Sequence, residues 1–340
     1  MTAQASSSGQ PTPERIFETL TAYQRTEVLR TAIELDLFTA IGEGANTVEP
    51  LAKRCQASQR GIRMLSDNLA AAGLLTKHKQ QYSLTEESAK FLDRRSPHCV
   101  AAAARFLTLP HLMEGYRNLS EVVRSGRNGL GGQGSIEPEN PIWVDFARSM
   151  GPIQAPFAEA IAQILHADAG EKWKVLDIAA GHGRFGVALA QHNPNAEIFA
   201  VDWPAVLQVA EENARLAGVS ARYHQIPGNA FDVDLGSGYD VILLTGFLHH
   251  FDPVPIEQLL RRINAALAPN GRVVTLEFVP NEDRVTPPAT AAWAINMLVT
   301  TPAGDAYTFA EYDRMFRNAG FASNELVRVP GTEALILSRK

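Results

Sequence analysis

The chain has 340 residues, 45% of them hydrophobic, a formal charge of −6 and two cysteines. That length allows two domains with a sizeable core, and so few cysteines exclude a disulfide framework. The mildly acidic balance gives no global attraction to nucleic acid or an anionic membrane, and no run approaches the roughly 18 uninterrupted apolar residues of a spanning helix, which favours a small-molecule partner.

The opening MTAQASSSGQPTP, residues 1–13, has no basic n-region and no apolar h-region. It reads as a disordered start without a secretory signal, so a cytoplasmic protein is expected, with Cys55 and Cys99 as isolated reduced thiols. From Glu14 onward Ile16, Leu20, Val28, Leu29, Ala32, Ile33, Leu37 and Phe38 recur at helical spacing, and Gly42 and Gly44 end the run. Thr47 to Ala52 starts a short helix, Ser58 can cap the next over 59–72, and Gly73 stops it. Leu74-Leu75-Thr76 and Gln81-Tyr82-Ser83-Leu84 then read as a two-strand wing, completing a winged helix-turn-helix outline over 14–100.

Such an outline commonly reads DNA, through residues such as Arg60 and Arg63. Residues 1–100 hold 12 Lys and Arg against 11 Asp and Glu, a net of +1, without the basic stripe that phosphate binding requires. Residues 101–165 form an apolar, helical connector in two pieces, broken by the Gly- and Ser-rich segment from Ser125 to Ser135. Phe106, His111, Met113, Trp143, Phe146, Met150 and Phe157 concentrate bulky side chains there, as pocket lining or as plain core packing.

The stretch from Lys172 to Pro204 reads as strand, glycine turn, helix and second strand, the unit that opens a nucleoside-binding sheet. Val175, Leu176 and Ile178 are the apolar run of a buried parallel strand. Gly181 and Gly183 permit a tight turn, with the helix starting near Arg184, and Asp202 ends the next strand where a carboxylate commonly accepts from ribose hydroxyls. The run Gly181-His182-Gly183-Arg184-Phe185-Gly186 also spells G-x-G-x-x-G, which raises a nicotinamide cofactor. The acidic Asp177 beside the turn argues against a pyrophosphate and suits a cationic ligand better. Helices are expected at 205–217, 256–267 and 309–318, and strands at 221–226, 241–245, 272–278, 325–329 and 334–338. This alternation implies a doubly wound, mainly parallel α/β sheet over 166–340, ending in a hairpin about Pro330-Gly331-Thr332.

Asp177-Ile178-Ala179-Ala180-Gly181-His182-Gly183 resembles the D-x-G-x-G-x-G motif of class I S-adenosylmethionine-dependent methyltransferases, with alanine in place of the first glycine. Tyr23-Gln24-Arg25, Leu35-Asp36-Leu37-Phe38, Leu51-Ala52 and Leu84-Thr85 look like the N-terminal region of plant-type small-molecule O-methyltransferases and their bacterial relatives. The resemblance implies a Rossmann-like catalytic domain behind a mainly α winged-helix domain that dimerises and closes over the partner's active site. A homodimer acting on a small molecule, without nucleic acid or membrane, is therefore expected.

Thr245-Gly246-Phe247-Leu248-His249-His250-Phe251-Asp252 follows a strand, at the carboxyl edge where open α/β sheets bind ligands. It resembles the family's L-H-x-W/F signature, which assigns the catalytic base to His249, with Glu277 matching the glutamate that holds it. The family's second glutamate falls on Ala306, with Asp305 adjacent as a possible substitute. For S-adenosylmethionine the resemblance implies contacts from Asp177, Ala179, Gly181, Gly183, Asp202, Trp203, Asn229, Ala230, Phe231 and Thr245. Asn229 stands for an aspartate that binds the adenine amine, and Thr245 for a lysine. Phe106, Trp143, Phe146, Met150, His250, Trp293 and Met297 suggest a flat apolar acceptor, such as a phenolic or polyketide natural product. A metal held by His249 and His250 is not expected. Methylation at carbon or nitrogen, chemistry without methyl transfer, and a ligand-sensing regulator remain alternatives.

Overall fold

The computed structural model describes residues 11–340, so most of the expected disordered start lies outside the described residues. The chain divides into two compact units after Arg105.

In the first unit, helices span Glu14–Leu20, Ala22–Glu34, Leu37–Gly42, Val48–Arg54 and Gln59–Ala71. Ser58 caps the last of these by accepting from the Gly61 amide, and Gly73 at φ +76 turns the chain out of it. Strands β1 (Leu75–His78) and β2 (Gln81–Leu84) pair antiparallel as the expected wing. A Thr85–Ser88 capping box then starts the helix Glu86–Phe91. Leu37, Phe38, Leu51, Ile62, Leu69 and Tyr82 form the core. The first helix buries nothing: Ile16, Phe17, Leu20 and, just beyond it, Tyr23 are 64%, 60%, 65% and 61% exposed.

The second unit is built on a seven-stranded sheet. Its strands are β3 (Lys174–Ile178), β4 (Glu197–Asp202), β5 (Tyr223–Pro227), β6 (Tyr239–Thr245), β7 (Leu267–Glu277), β8 (Ser323–Arg328) and β9 (Ala334–Arg339), in the order β5-β4-β3-β6-β7-β9-β8. The first five are parallel, and β9 runs antiparallel between β7 and β8. Strand alternation feeds two cores. Val175, Val241, Leu243 and Val274 pack against helices Ile142–Ile164, Arg184–His192 and Pro204–Leu216. Leu176, Ile242, Leu244 and Val273 pack against Pro253–Ala266 and Phe309–Asn318. Burial on both faces is why these strands read as continuous apolar runs.

The connector differs from the expected two helical pieces. Its first part is three short helices, Ala102–Leu107, Pro110–Arg117 and Leu119–Ser125, followed by the long helix Ile142–Ile164. Leu109 is extended ahead of Pro110, as the ring of a proline demands of its predecessor, and Gly126 at φ +66 ends the third helix. Two helices, Pro288–Ala291 and Trp293–Thr300, occupy a stretch in which no helix is expected from the sequence.

Candidate active site

The glycine turn follows β3 with Ala179, Gly181 and Gly183 at φ +55, +56 and +71. Ala179 thus adopts a left-handed conformation that costs an alanine roughly 1–2 kcal/mol. The turn is held closed by Ala180 N donating to Val201 O (3.1 Å) and Gly183 N to Ala180 O (2.7 Å). A Cβ on Gly183 would lie 2.6 Å from the Tyr223 hydroxyl and 2.9 Å from Ala210 Cβ, so only glycine fits.

Asp202, at the end of β4, accepts from Gly181 N (2.8 Å) and Trp203 N (2.7 Å). Burial pushes its carboxyl up to about 6, against the pull of these two amides. Each oxygen keeps a lone pair for a ribose hydroxyl. Asp177 departs from the expectation of a carboxylate facing a ligand. It is fully buried beneath the turn, accepts from Gly186 N (3.2 Å), and is pushed up to about 7 by burial. Its place is that of a brace under the turn.

Asn229 is engaged locally. Its carbonyl accepts from Phe231 N (3.0 Å) and its amide donates to Asp232 (2.7 Å), leaving one carbonyl lone pair for an adenine amine. Ala230 is buried, and Phe231 packs against Phe247 and Phe251 at 6.0 and 4.8 Å between ring centroids. Trp203 packs with Trp143 and Val144 around Ala147, Val206 and Val209. Thr245, at the end of β6, lines a cavity shared with Phe146, Gln154, Ala179 to His182, Phe185, Gly246 and Glu333.

The second half of the site lies on the loop after β6. His249 Nδ1 stands 2.5 Å from Glu277 Oε2, with both residues buried. The other carboxylate oxygen accepts from the amides of Phe247 (3.1 Å), Leu248 (2.8 Å) and, more weakly, His249 (3.4 Å). One side chain therefore fixes both the imidazole and the backbone that carries it. Glu277 ends β7, the parallel neighbour of β6, which is how two residues far apart in sequence come to one edge. Asp305 does not provide the missing second glutamate: its carboxylate is paired with Arg284 at 3.1 Å and caps Ala306 N at 2.8 Å.

Rings surround His249. Trp293 lies 5.6 Å away edge-on and stacks on Phe278 at 3.9 Å, and His250 lies 4.3 Å away. Trp143 touches both His250 (5.1 Å) and Phe146 (5.7 Å), and Phe106 touches Phe146 (5.3 Å). Met150 lies one turn beyond Phe146 on the long helix, and Met297, 1% exposed, one turn beyond Trp293. The indole N–H of Trp293 and Nδ1 of His250 are buried without partners among the described residues. Burial, aided by His249, drives His250 well below the usual histidine range, so its ring is neutral. Among the described residues no group of three or more His, Cys, Asp or Glu could hold a metal ion.

His182, Phe185, Gln154, Phe278 and Glu333 belong to the site without having been singled out from sequence. His182 stacks on Phe146 at 6.1 Å, and burial holds it down at about 3. Its place inside the G-x-G turn was the one local signal available; Gln154 and Glu333 carry none.

A parallel sheet with a glycine turn, a carboxylate at the next strand end and a histidine–glutamate pair at the same edge defines a nucleoside-binding transferase site. Comparison with known proteins identifies its kind. An O-methyltransferase domain model matches residues 160–322, and an O-methyltransferase dimerisation domain model matches residues 17–94. The chain is 49% identical to a candidate O-methyltransferase of known crystal structure from Nostoc punctiforme, with TM-score 0.92 over 98% of this chain and 100% of that one. It is 27% identical to the tetracenomycin polyketide synthesis 8-O-methyl transferase TcmO of Streptomyces glaucescens, over 96% of this chain and 97% of the relative. PigF, the S-adenosyl-L-methionine-dependent methyl transferase of a Serratia strain, is 26% identical over 93% of this chain and 92% of its own. A structure of PigF with S-adenosylhomocysteine matches with TM-score 0.86 over 97% of this chain and 100% of that one, at 25% identity.

The chain belongs to the O-methyltransferase family. It is an S-adenosylmethionine-dependent methyltransferase that carries the family's dimerisation domain. Membership does not favour the nicotinamide, non-methyl-transfer and regulator readings. The residues present fit the cofactor: a turn free of bulk, a half-buried ribose acceptor in Asp202, and a cavity with unpartnered polar oxygens on Gln154 and Glu333.

Proposed function

We propose that the enzyme methylates a phenolic hydroxyl on a flat, polyketide-like aromatic molecule, with His249 as general base and Glu277 as the group that orients it. The 2.5 Å contact between His249 Nδ1 and Glu277 Oε2 carries this reading. It commits Nδ1 to the carboxylate and leaves Nε2 for the acceptor, the arrangement that fixes a tautomer and stabilises an imidazolium. S-adenosylmethionine supplies a methyl group on a sulfonium, which passes to the phenolic oxygen as the carbon–sulfur bond breaks and S-adenosylhomocysteine remains. The phenolic proton goes to His249 Nε2.

The assistance of His249 as general base is felt in the transition state, an effect of about 10²- to 10⁴-fold. Phe106, Trp143, Phe146, Met150, His250, Trp293 and Met297 confine the acceptor, and aromatic walls favour a planar one. Asp202 binds the ribose, Asn229 with Trp203 and Phe231 the adenine end, and Thr245 with the backbone of Ala179 to Gly183 the amino-acid end.

The chain is read as four segments: residues 1–13, a dimerisation domain over 14–100, a pocket-lining connector over 101–165 and the catalytic domain over 166–340. The exposed stripe of Ile16, Phe17, Leu20 and Tyr23 supports a homodimer through the first unit. The free thiols of Cys55 and Cys99 suit a cytoplasmic enzyme.

The test is transfer of labelled methyl to a panel of hydroxynaphthoates and hydroxyanthraquinones. Label on oxygen with the native protein, and its loss in His249→Ala, is the expected result. Equal transfer by both proteins overturns the role of His249.

A further inference from the structure

Glu333 stands immediately before β9, where Ala334 pairs with Glu277. It is only 5% exposed, one of its oxygens is buried without a partner among the described residues, and it lines the cavity beside the glycine turn. Gln154 on the long helix lines the same cavity, and its side-chain carbonyl is likewise buried without a partner among the described residues. The same cavity is lined by Ala179 to His182 with Thr245 and Gly246.

We propose that Glu333, assisted by Gln154, is a cofactor-binding residue that anchors the α-ammonium group of S-adenosylmethionine. The proposal rests on the nucleoside lying against Asp202, the reading given above. From the end of β4 a ligand crossing the turn after β3 brings its amino-acid tail to Thr245 and Gly246, and so to this cavity. A buried carboxylate needs a cation or a proton. The titrating groups that act on Glu333 are Glu277, itself acidic, and His249, already bonded to Glu277. His182, which lines the same cavity, is neutral. Burial and Glu277 push the Glu333 carboxyl up to about 7, while Gln154 and His249 pull it back, so a bound ammonium would replace the missing positive charge. Thr245 offers no charge at the position where the resembling plant enzymes carry a lysine.

The experiment compares S-adenosylhomocysteine with methylthioadenosine, the same nucleoside thioether without the amino-acid tail, by calorimetric titration of the native protein and Glu333→Gln. Loss of one charge-assisted hydrogen bond predicts S-adenosylhomocysteine binding weakened about ten- to a hundredfold, with methylthioadenosine affinity held within about twofold. Gln154→Ala is expected to weaken S-adenosylhomocysteine alone, and less. Unchanged affinity for S-adenosylhomocysteine in Glu333→Gln overturns the proposal; with a fall in kcat, it would transfer Glu333 to the positioning of His249. Equal weakening of both ligands overturns it in favour of a structural role. Failure of the native protein to bind either ligand would instead strike the cofactor reading beneath it.

Discussion

His249 and Glu277 divide their work in a way that substitutions can separate. Glu277 accepts from the imidazole through one oxygen and from the backbone of the histidine's own loop through the other. His249→Ala leaves that backbone anchorage in place. Turnover is expected to fall about 10²- to 10⁴-fold while S-adenosylhomocysteine affinity stays level, measured by steady-state kinetics and calorimetry on one preparation. Asp177 gives a prediction of a different kind. Its carboxyl titrates at about 7 in the folded chain, well above the 3.8 of an unperturbed group. The folded state therefore binds more protons between those values, and the stability this confers is full below about pH 4 and lost as pH rises through 7. Asp177→Asn keeps an acceptor for Gly186 N without the charge. It should raise stability relative to the native protein at pH 8, on the order of 4 kcal/mol, and by little at pH 4. Urea unfolding at the two pH values measures this; equal differences at both would show that Asp177 ionises without penalty.

Turns, more than strands, decide where the site's side chains arrive. The hairpin between β8 and β9 passes close to the long helix at Gly331, whose φ of +123 lies outside the range of ordinary side chains. A Cβ there would lie 2.7 Å from the Phe157 ring. Gly331→Ala must therefore move the turn or the ring, at a cost of about 1–3 kcal/mol. Because Glu333 follows two residues later, S-adenosylhomocysteine affinity should fall along with Tm. A variant that melts lower yet binds normally would show that the turn adapts without shifting Glu333. The strand ends and their turns were legible in the sequence because their chemistry is local: the glycine pair, the run into Asp202, the Ser58 cap. Helices Pro288–Ala291 and Trp293–Thr300 were not legible, since a proline pair reads as a loop although proline is also well suited to a helix's first turn.

For the whole molecule, the two units bury their side chains unequally. The catalytic unit closes its sheet under helices on both faces, whereas the first helix of the other unit leaves Ile16, Phe17 and Leu20 open. Phe17→Asp with Leu20→Asp should yield a monomer in sedimentation at micromolar concentration, with the helical signal of the chain retained. A dimer that persists would move the interface elsewhere. The sequence by itself determined the alternation of strand and helix, the winged outline and the glycine turn with Asp202, because each follows from local periodicity and turn chemistry, whereas the pairing of His249 with Glu277 was implied by the family resemblance. The tertiary structure alone decided that Asp177 lies beneath the turn, that Asp305 turns to Arg284, and that Gln154 and Glu333 meet beside the turn. Those placements depend on how a helix ahead of the sheet and a hairpin at its end pack across it, and the spacing of residues along the chain carries no record of that packing.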